Sequence, residues 1–184
     1  MVSILKTDKI QASHGSTVEV PSGHKISGTA GSIVAPGHVI QVQHASFSSQ
    51  ISTTSSTIAA TGIEMNFTPH IATSKLLVRF IIQGVYNATA SSGWNFYVYR
   101  DGSGVTESGL DTASGQEGRF AYAVGYTTGG EILEYTSEVF FSANNTSQTL
   151  IALYGRIYNS GTSYINVINT NGDRSFMSVM EIAQ

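Results

Sequence analysis

The chain has 184 residues, the length of one ordinary domain or of one domain with a short appendage. Charged residues make up only 11% of it, against roughly 25% in an average soluble protein. The absence of cysteine excludes a disulfide scaffold and any cysteine-ligated zinc or iron–sulfur site. The net charge of −3 argues against a nucleic-acid partner. What remains is typical of an all-β protein that is kept in solution by hydroxyl and amide groups.

The first 40 residues contain short strand-like pieces that are separated by turn residues such as Pro21-Ser22-Gly23. Domains of below about 40 residues rarely fold alone. Because cysteine is absent, we expect partner strands from other chains to stabilise this segment; the alternative is a disordered tail. The apolar residues expected to dock it on a partner are Ile4, Leu5, Ile10, Val18, Val20, Ile33 and Val34.

Charge is distributed unevenly along the chain. Residues 1–60 carry three basic and two acidic side chains, whereas residues 61–184 carry six and ten. This difference indicates two regions with different roles, which we divide as an N-terminal segment, 1–40, and a β-domain, 41–184. Charges interrupt the first nine residues too early for a signal-peptide core, and the longest apolar stretch is too short to span a membrane. We therefore expect no membrane insertion.

From residue 39 onward apolar and polar residues alternate, which is the pattern of half-buried β-strands. Residues 48–61 are rich in Ser and Thr and predict a long loop or a polar edge strand. Residues 75–86 are apolar on both faces, as expected of a strand that is covered on both sides. No helical stripe is visible. The remaining predicted strands are 39–46, 63–67, 94–100, 119–126, 133–141, 150–158, 164–168 and 176–182.

Turn residues separate these strands, among them Asp101-Gly102 after the strand 94–100. Many short strands joined by such turns are typical of an antiparallel β-sandwich or jelly roll. The predicted fold is therefore a short N-terminal β-segment followed by a β-sandwich or jelly-roll domain.

Two groups of polar residues are candidates for a metal site and for a catalytic site. Each group also has a simpler explanation as surface or loop residues. His14, His24, His38 and His44 would bind a metal if they met on the axis of a symmetric oligomer; otherwise they are surface or turn residues. Asp101, Glu107, Asp111 and Glu117 would suit a glycosidase if a pair stood about 5–9.5 Å apart; otherwise they are solvated loop carboxylates. No phosphate loop or nucleophile motif is present. We expect no enzyme activity, no cofactor and no metal.

Aromatic residues on strands and near Gly-rich turns are the stronger candidates for binding. Tyrosine and tryptophan on a β-surface stack on sugars or contact a protein receptor. The alternative is that most of these rings pack inside the sandwich or between subunits. The group consists of Trp94, Tyr97, Tyr99, Tyr122 and Tyr126.

Several stretches resemble small tail-fibre-like virion structural proteins of tailed phages, particularly marine and cyanobacterial ones. At the N-terminal end these are residues 3–11 (SILKTDKIQ), 20–29 (VPSGHKISGT) and 32–41 (SIVAPGHVIQ). In the β-domain they are residues 74–78 (SKLLV), 99–102 (YRDG) and 178–183 (SVMEIA). Their order and spacing extend the resemblance over nearly the whole chain.

The resemblance implies a virion component, a short homotrimeric tail fibre whose N-terminal segment docks on other virion proteins of the tail or capsid. Its C-terminal knob would bind a glycan or a protein on the host surface. The expected receptor-binding residues are Trp94, Tyr97, Tyr99, Asp101 and Tyr126. Two alternatives stay open: a capsid decoration or head-fibre protein, and a sugar-binding or sugar-cleaving module.

Overall fold

The computed structural model describes residues 20–26, 28, 34–107, 110–124, 132–166 and 174–184. The chain divides into two units, Met1–Ile33 and Val34–Gln184. In the first unit the described residues include a turn in which the amide of His24 donates to the carbonyl oxygen of Pro21 at 3.1 Å. The second unit contains all the described strands, and residues 34–40 of the predicted N-terminal segment belong to it.

The described part of the second unit consists of β-strands and loops. In chain order the strands are β1 (Val39–Phe47), β2 (Ile51–Thr53), β3 (Ala59–Phe67), β4 (Lys75–Asn87), β5 (Trp94–Arg100), β6 (Ser103–Gly104), β7 (Arg119–Val124), β8 (Ile132–Ser142), β9 (Thr149–Ile157), β10 (Ser163–Ile165) and β11 (Ser175–Ile182).

Sheet A is built around the long strand β4, and all its pairs are antiparallel. On β4, Ile81 pairs with Phe176 of β11 and with Thr136 of β8, so these two strands flank it on opposite sides. β10 also pairs with β4, at Tyr86 and Asn87, and β2 pairs with β10. β1 pairs with β11 and therefore lies at the other side of the sheet from β8.

Sheet B contains β3, β9, β5 and β6 in that order, with β7 also pairing with β5, and it too is antiparallel. The core contains apolar side chains from both sheets. From sheet A these include Leu76 and Phe80, and from sheet B Phe96, all fully buried. Phe120 joins the sheets, because its ring stacks on Phe80 at 5.4 Å and on Phe96 at 6.4 Å. Full burial of each such side chain stabilises the fold by about 1.5–3 kcal/mol.

The all-β, antiparallel architecture predicted from the sequence is confirmed. The Ser/Thr-rich stretch 48–61 contains the short strand β2 and the start of β3, so it is neither one long loop nor one strand. The predicted turn after β5 is present, with φ of 49° at Asp101 and 79° at Gly102. Two successive positive φ values are typical of the tight turns that join neighbouring antiparallel strands. The predicted strand ends at Tyr126 and Ile168 lie outside the described residues.

Candidate functional site

The outer face of sheet B carries a tyrosine–arginine surface, formed by Tyr99, Arg119, Tyr122, Tyr154, Arg156 and Tyr158. Strand register brings these residues together. Tyr97 of β5 pairs with Tyr154 of β9 on one side and with Arg119 of β7 on the other. Because side chains alternate between the faces of a strand, Tyr154, Arg156 and Tyr158 follow one another on the same side along β9 and just beyond it.

Gln116, in the loop before β7, holds the centre of this surface in place. Its side-chain oxygen accepts hydrogen bonds from Tyr97 Oη at 3.1 Å, Arg119 Nη1 at 2.9 Å and Arg156 Nη2 at 2.9 Å. Arg119 also forms an ion pair with Asp111. Since each guanidinium is fixed by at least one neighbour, both cations are oriented before any ligand arrives.

Two ring pairs lie on either side of this centre. Tyr99 and Tyr154 are stacked with their ring centres 4.0 Å apart and an interplanar angle of 8°. Burial, together with the negative charge of Glu117, raises the pKa of Tyr99 above its usual value. Like any tyrosine near pH 7, its hydroxyl is neutral and acts as both hydrogen-bond donor and acceptor.

The second pair, Tyr122 and Tyr158, is the most exposed part of the surface. The two side chains are 57% and 39% exposed, and their rings meet edge to face at 4.8 Å. The guanidinium of Arg119 lies 5.1 Å from the centre of the Tyr122 ring, a cation–π contact. A hydrogen bond to Tyr122 raises the pKa of Tyr158. These rings are thus exposed and at the same time fixed by contacts with each other and with Arg119.

The burial of Trp94 and Tyr97 corrects the prediction that they contact a receptor, since neither offers exposed surface. Trp94 stacks on Phe96 in the core, and its indole nitrogen donates to the carbonyl oxygen of Tyr164 at 3.1 Å. Tyr97 points outward from sheet B but is buried, with its hydroxyl bonded to Gln116.

The other predicted receptor-binding residues have different positions. Tyr99 is half-buried in its ring pair. Asp101 is exposed and fastens β9 to the turn, because its carboxylate accepts from the Leu150 amide at 2.8 Å and from Thr149 Oγ1 at 2.7 Å. These two hydrogen bonds lower the pKa of Asp101, and the bond from the Leu150 amide has the larger effect. Tyr126 lies outside the described residues.

Of the predicted docking residues, Val20 and Val34 are exposed. The remaining five lie outside the described part of the chain, namely Ile4, Leu5, Ile10, Val18 and Ile33.

The loop carboxylates have separate structural partners. Glu107 accepts from the amide and the hydroxyl of Ser142 at 2.8–2.9 Å, and Asp111 pairs with Arg119. In the described ranges no group of three or more His, Asp or Glu side chains is placed to hold a metal ion. Nor does any helix there have the length and apolar character needed to cross a membrane.

The sequence interpretation missed Arg119, Arg156, Tyr154 and Tyr158. The alternation in β9 contains a signal for three of them, because residues 154, 156 and 158 share one face of the predicted strand 150–158. No local pattern indicates that Gln116, from a separate loop, joins Arg156 to Arg119.

No family model matches the chain, and no curated protein matches it. Among solved structures it is similar to a chain of infectious bursal disease virus Gx strain, with 14% identity and a TM-score of 0.49 over 87% of this chain and 36% of that one. The VP2 subviral particle of the same virus gives 13% identity and a TM-score of 0.46, over 89% of this chain and 46% of that one. Dimeric latent PorU from Porphyromonas gingivalis is similar with 10% identity and a TM-score of 0.40, over 85% of this chain and 14% of that one. The chain therefore spans less than half the length of each of these chains.

Proposed function

We propose that this chain is a virion structural protein, the subunit of a short homotrimeric tail fibre of a tailed phage. Residues 1–40 dock on another virion protein, and residues 41–184 form the knob that contacts the host surface. The tail-fibre-like stretches at both ends of the chain support this proposal, as does the antiparallel two-sheet fold. The protein acts by binding and carries out no catalysis.

The observation that carries the host-binding part is the exposed Tyr122–Tyr158 pair on a rigid sheet. Tyrosine offers a large amphipathic contact area and loses little rotamer freedom on binding. Arg119 fixes the Tyr122 ring and is itself held by Asp111 and Gln116. A surface that is ordered in advance spends less of its interaction energy on immobilising side chains. The proposed ligand is a host-surface glycan or protein.

Binding of the labelled full-length protein to host cells tests this proposal. Tyr122→Ala and Tyr158→Ala should each weaken binding at least tenfold without changing the thermal unfolding midpoint by more than a few degrees. The matched control is Tyr86→Ala on sheet A, because the Tyr86 ring also contacts another tyrosine ring, that of Tyr164, with the ring centres 5.7 Å apart and the planes tilted by 43°. Binding that is unchanged in both variants would remove the tyrosine–arginine surface from the proposal.

The two alternatives from the sequence predict different results. A capsid decoration protein, when deleted from the phage, would leave adsorption intact and make the heads fragile, whereas loss of a fibre would abolish adsorption and leave the heads intact. A sugar-binding module would bind defined glycans on an array. The exposed tyrosines favour this alternative over the sugar-cleaving one. A sugar-cleaving module would release reducing ends from host polysaccharide.

A further inference from the structure

A polar pocket lies at the end of the sandwich where β5 and β8 terminate. Its volume is about 190 Å³. Pockets for drug-sized molecules measure roughly 300–1,000 Å³, so this one has room for a single small ring. Four polar side chains of its lining come from the end of β5, from the loop after β6 and from the loop after β8, namely Arg100, Thr106, Glu107 and Asn144.

Ser142, the last residue of β8, orients both charged side chains of the pocket. Its carbonyl oxygen accepts from Arg100 Nη1 at 2.7 Å, and the carbonyl oxygen of Ala143 accepts from the same nitrogen at 3.3 Å. The amide and hydroxyl of Ser142 donate to the carboxylate of Glu107 at 2.8–2.9 Å. Arg100 and Glu107 both lie in the described ranges, and no ion pair joins them. The cation and the anion are thus held apart, each by the same neighbour.

Arg100 is fixed in place and still has unused hydrogen-bond donors. Its guanidinium lies 5.5 Å from the centre of the Phe141 ring, a cation–π contact. An arginine carries five N–H donors in a planar fork. Within the described part of the chain, the Nε and Nη2 atoms of Arg100 make no hydrogen bond. Because the guanidinium is held by two carbonyl oxygens and a ring, these remaining donors are oriented before a ligand binds.

Asn144 and Thr106 add uncharged polar groups to the lining, and both residues are exposed. Asn144 has a φ of 66°, in the left-handed region that asparagine tolerates. Neither its amide group nor the Thr106 hydroxyl forms a hydrogen bond with any residue that the structure describes. The amide offers donors and an acceptor, and the hydroxyl can serve as either.

The carboxylate of Glu107 keeps part of its acceptor capacity. Its Oε2 atom accepts from Ser142 and lies 3.5 Å from the ammonium group of Lys75. Among the described residues, its Oε1 atom accepts from the Ser142 amide alone. A carboxylate oxygen has two lone pairs, so Oε1 can accept a further hydrogen bond. Since Lys75 already balances the charge of Glu107, a cationic ligand would gain little there.

This lining favours an uncharged ligand. An anion offers only acceptors and would lie beside the carboxylate of Glu107, whereas a cation would meet the guanidinium of Arg100. A ring that carries several hydroxyl groups avoids both repulsions, because each hydroxyl donates and accepts hydrogen bonds. Such a ring can accept from Arg100 and donate to Glu107 at the same time, and so it connects two charges that do not pair with each other.

We propose that this pocket binds one uncharged sugar residue. Arg100 donates to a hydroxyl oxygen of the sugar, Glu107 accepts from a neighbouring hydroxyl, and Asn144 and Thr106 contact the others. The described lining contains a single carboxylate, whereas glycoside hydrolysis uses a pair, so the pocket binds the sugar and does not cleave it. The pocket shares no described lining residue with the tyrosine–arginine surface, and the inference does not rest on the proposed function.

Saturation-transfer difference NMR on the full-length protein tests the inference. The probes are three uncharged sugars, glucose, galactose and N-acetylglucosamine, with glucuronate as the charged comparison. At least one uncharged sugar should bind with a dissociation constant of about 1–10 mM, the weak affinity that so few ligand atoms can supply. Glucuronate should bind at least fivefold more weakly. Absence of binding by all three uncharged sugars at about 50 mM would overturn the inference.

Two variants locate the site. Asn144→Gly removes the amide side chain and suits the positive φ, so the fold should be retained. Arg100→Lys keeps the charge but loses the planar fork of donors. Each should raise the dissociation constant of the sugar at least fivefold. The matched control is Ser91→Gly, which changes another exposed residue of positive φ, 59°, outside the pocket lining and should leave sugar binding unchanged. Circular dichroism checks that each variant is folded.

The outcomes separate this inference from the proposed function. Unchanged sugar binding in either folded variant would show that the sugar binds elsewhere, and tighter binding of glucuronate than of the uncharged sugars would overturn the ligand class. Tyr122→Ala should leave the dissociation constant of the sugar unchanged; a loss there would place the sugar on the tyrosine–arginine surface and contradict the pocket. Host-cell binding that is lost in Tyr122→Ala and intact in Asn144→Gly would support the proposed function whether or not the pocket binds a sugar.

Discussion

The carboxylate of Glu181 accepts a hydrogen bond from the hydroxyl of Ser74 at 2.7 Å, and both side chains are completely buried. The same carboxylate accepts from the amides of His70 and Ile71 at 2.9–3.0 Å and from Gln41 Nε2 at 2.7 Å. Glu181 thereby fastens the loop between β3 and β4 to β11 and β1. Burial by itself would raise the pKa of Glu181, but these hydrogen bonds outweigh it and lower the pKa below its usual value.

Glu181→Gln should therefore destabilise the fold. The amide keeps one acceptor oxygen but replaces the other with a donor, so at least one of the buried donors loses its partner. A loss of about 1–3 kcal/mol in the free energy of unfolding is expected at pH 7. Urea denaturation measures it, and Glu64→Gln at an exposed position of β3 is the control. Equal stability of the two variants would contradict the role assigned to Glu181.

The same carboxylate predicts how stability depends on pH. Its pKa is lower in the folded than in the unfolded protein, so its contribution is fully present above the unfolded value, near 4.5. The contribution falls as the pH drops through the lower folded pKa. Between pH 6 and pH 3 the wild type should consequently lose more stability than Glu181→Gln. If the free energy of unfolding fell equally with pH in the two proteins, this explanation would be contradicted.

Asp101 combines an unusual backbone conformation with two side-chain hydrogen bonds. Asp101→Ala removes the bonds to Leu150 and Thr149 and places alanine at φ 49°, so a loss of about 1–3 kcal/mol is expected. Asp101→Asn keeps an acceptor and tolerates this φ, so it should cost less. Thermal unfolding compares the two. Host binding measured on folded Asp101→Asn separately tests the prediction that this residue contacts a receptor.

The ring of Trp94 leaves no room for a side chain at Gly155. A Cβ atom at this position would lie 2.6 Å from Cζ3 and 2.8 Å from Cε3 of the indole. Gly155→Ala should therefore destabilise the core by about 1–3 kcal/mol, and Trp94→Phe should partly relieve the clash in the double variant. Because Trp94 is the only tryptophan of the chain, its fluorescence reports the unfolding transition in Gly155→Ala directly. Additive effects in the double variant would indicate that the indole is not the obstacle.

Gln116 is the residue on which the order of the tyrosine–arginine surface depends. Gln116→Leu should leave three donors without this acceptor, destabilise the protein by about 1–3 kcal/mol and weaken host binding, since Arg119 loses one of its anchors. Gln116→Glu retains the acceptor and should preserve both properties better. Calorimetry and cell binding measure the two effects. Full binding by Gln116→Leu would show that the anchor is dispensable.

Much of the fold was predictable because it depends on local patterns. Alternation of apolar and polar residues predicted the strands, and Asp101-Gly102 predicted the turn after β5. Strand 75–86 was predicted to be covered on both sides. Its inner face is buried, through Leu76 and Phe80, but on its outer face Leu77 and Ile81 are only half-buried. Whether the fold is a jelly roll and whether the protein is a trimer stay predictions.

The candidate site was predictable only in part, because period-2 alternation says which residues share a face and not what covers that face. The sequence by itself determined the all-β class and placed Tyr97 and Tyr99 on the same side of β5. Only the tertiary structure decided that Tyr97 is buried beneath the loop that carries Gln116, whereas Tyr122 remains exposed. The physical reason is that burial arises from segments distant in the chain, and one local pattern is compatible with either outcome.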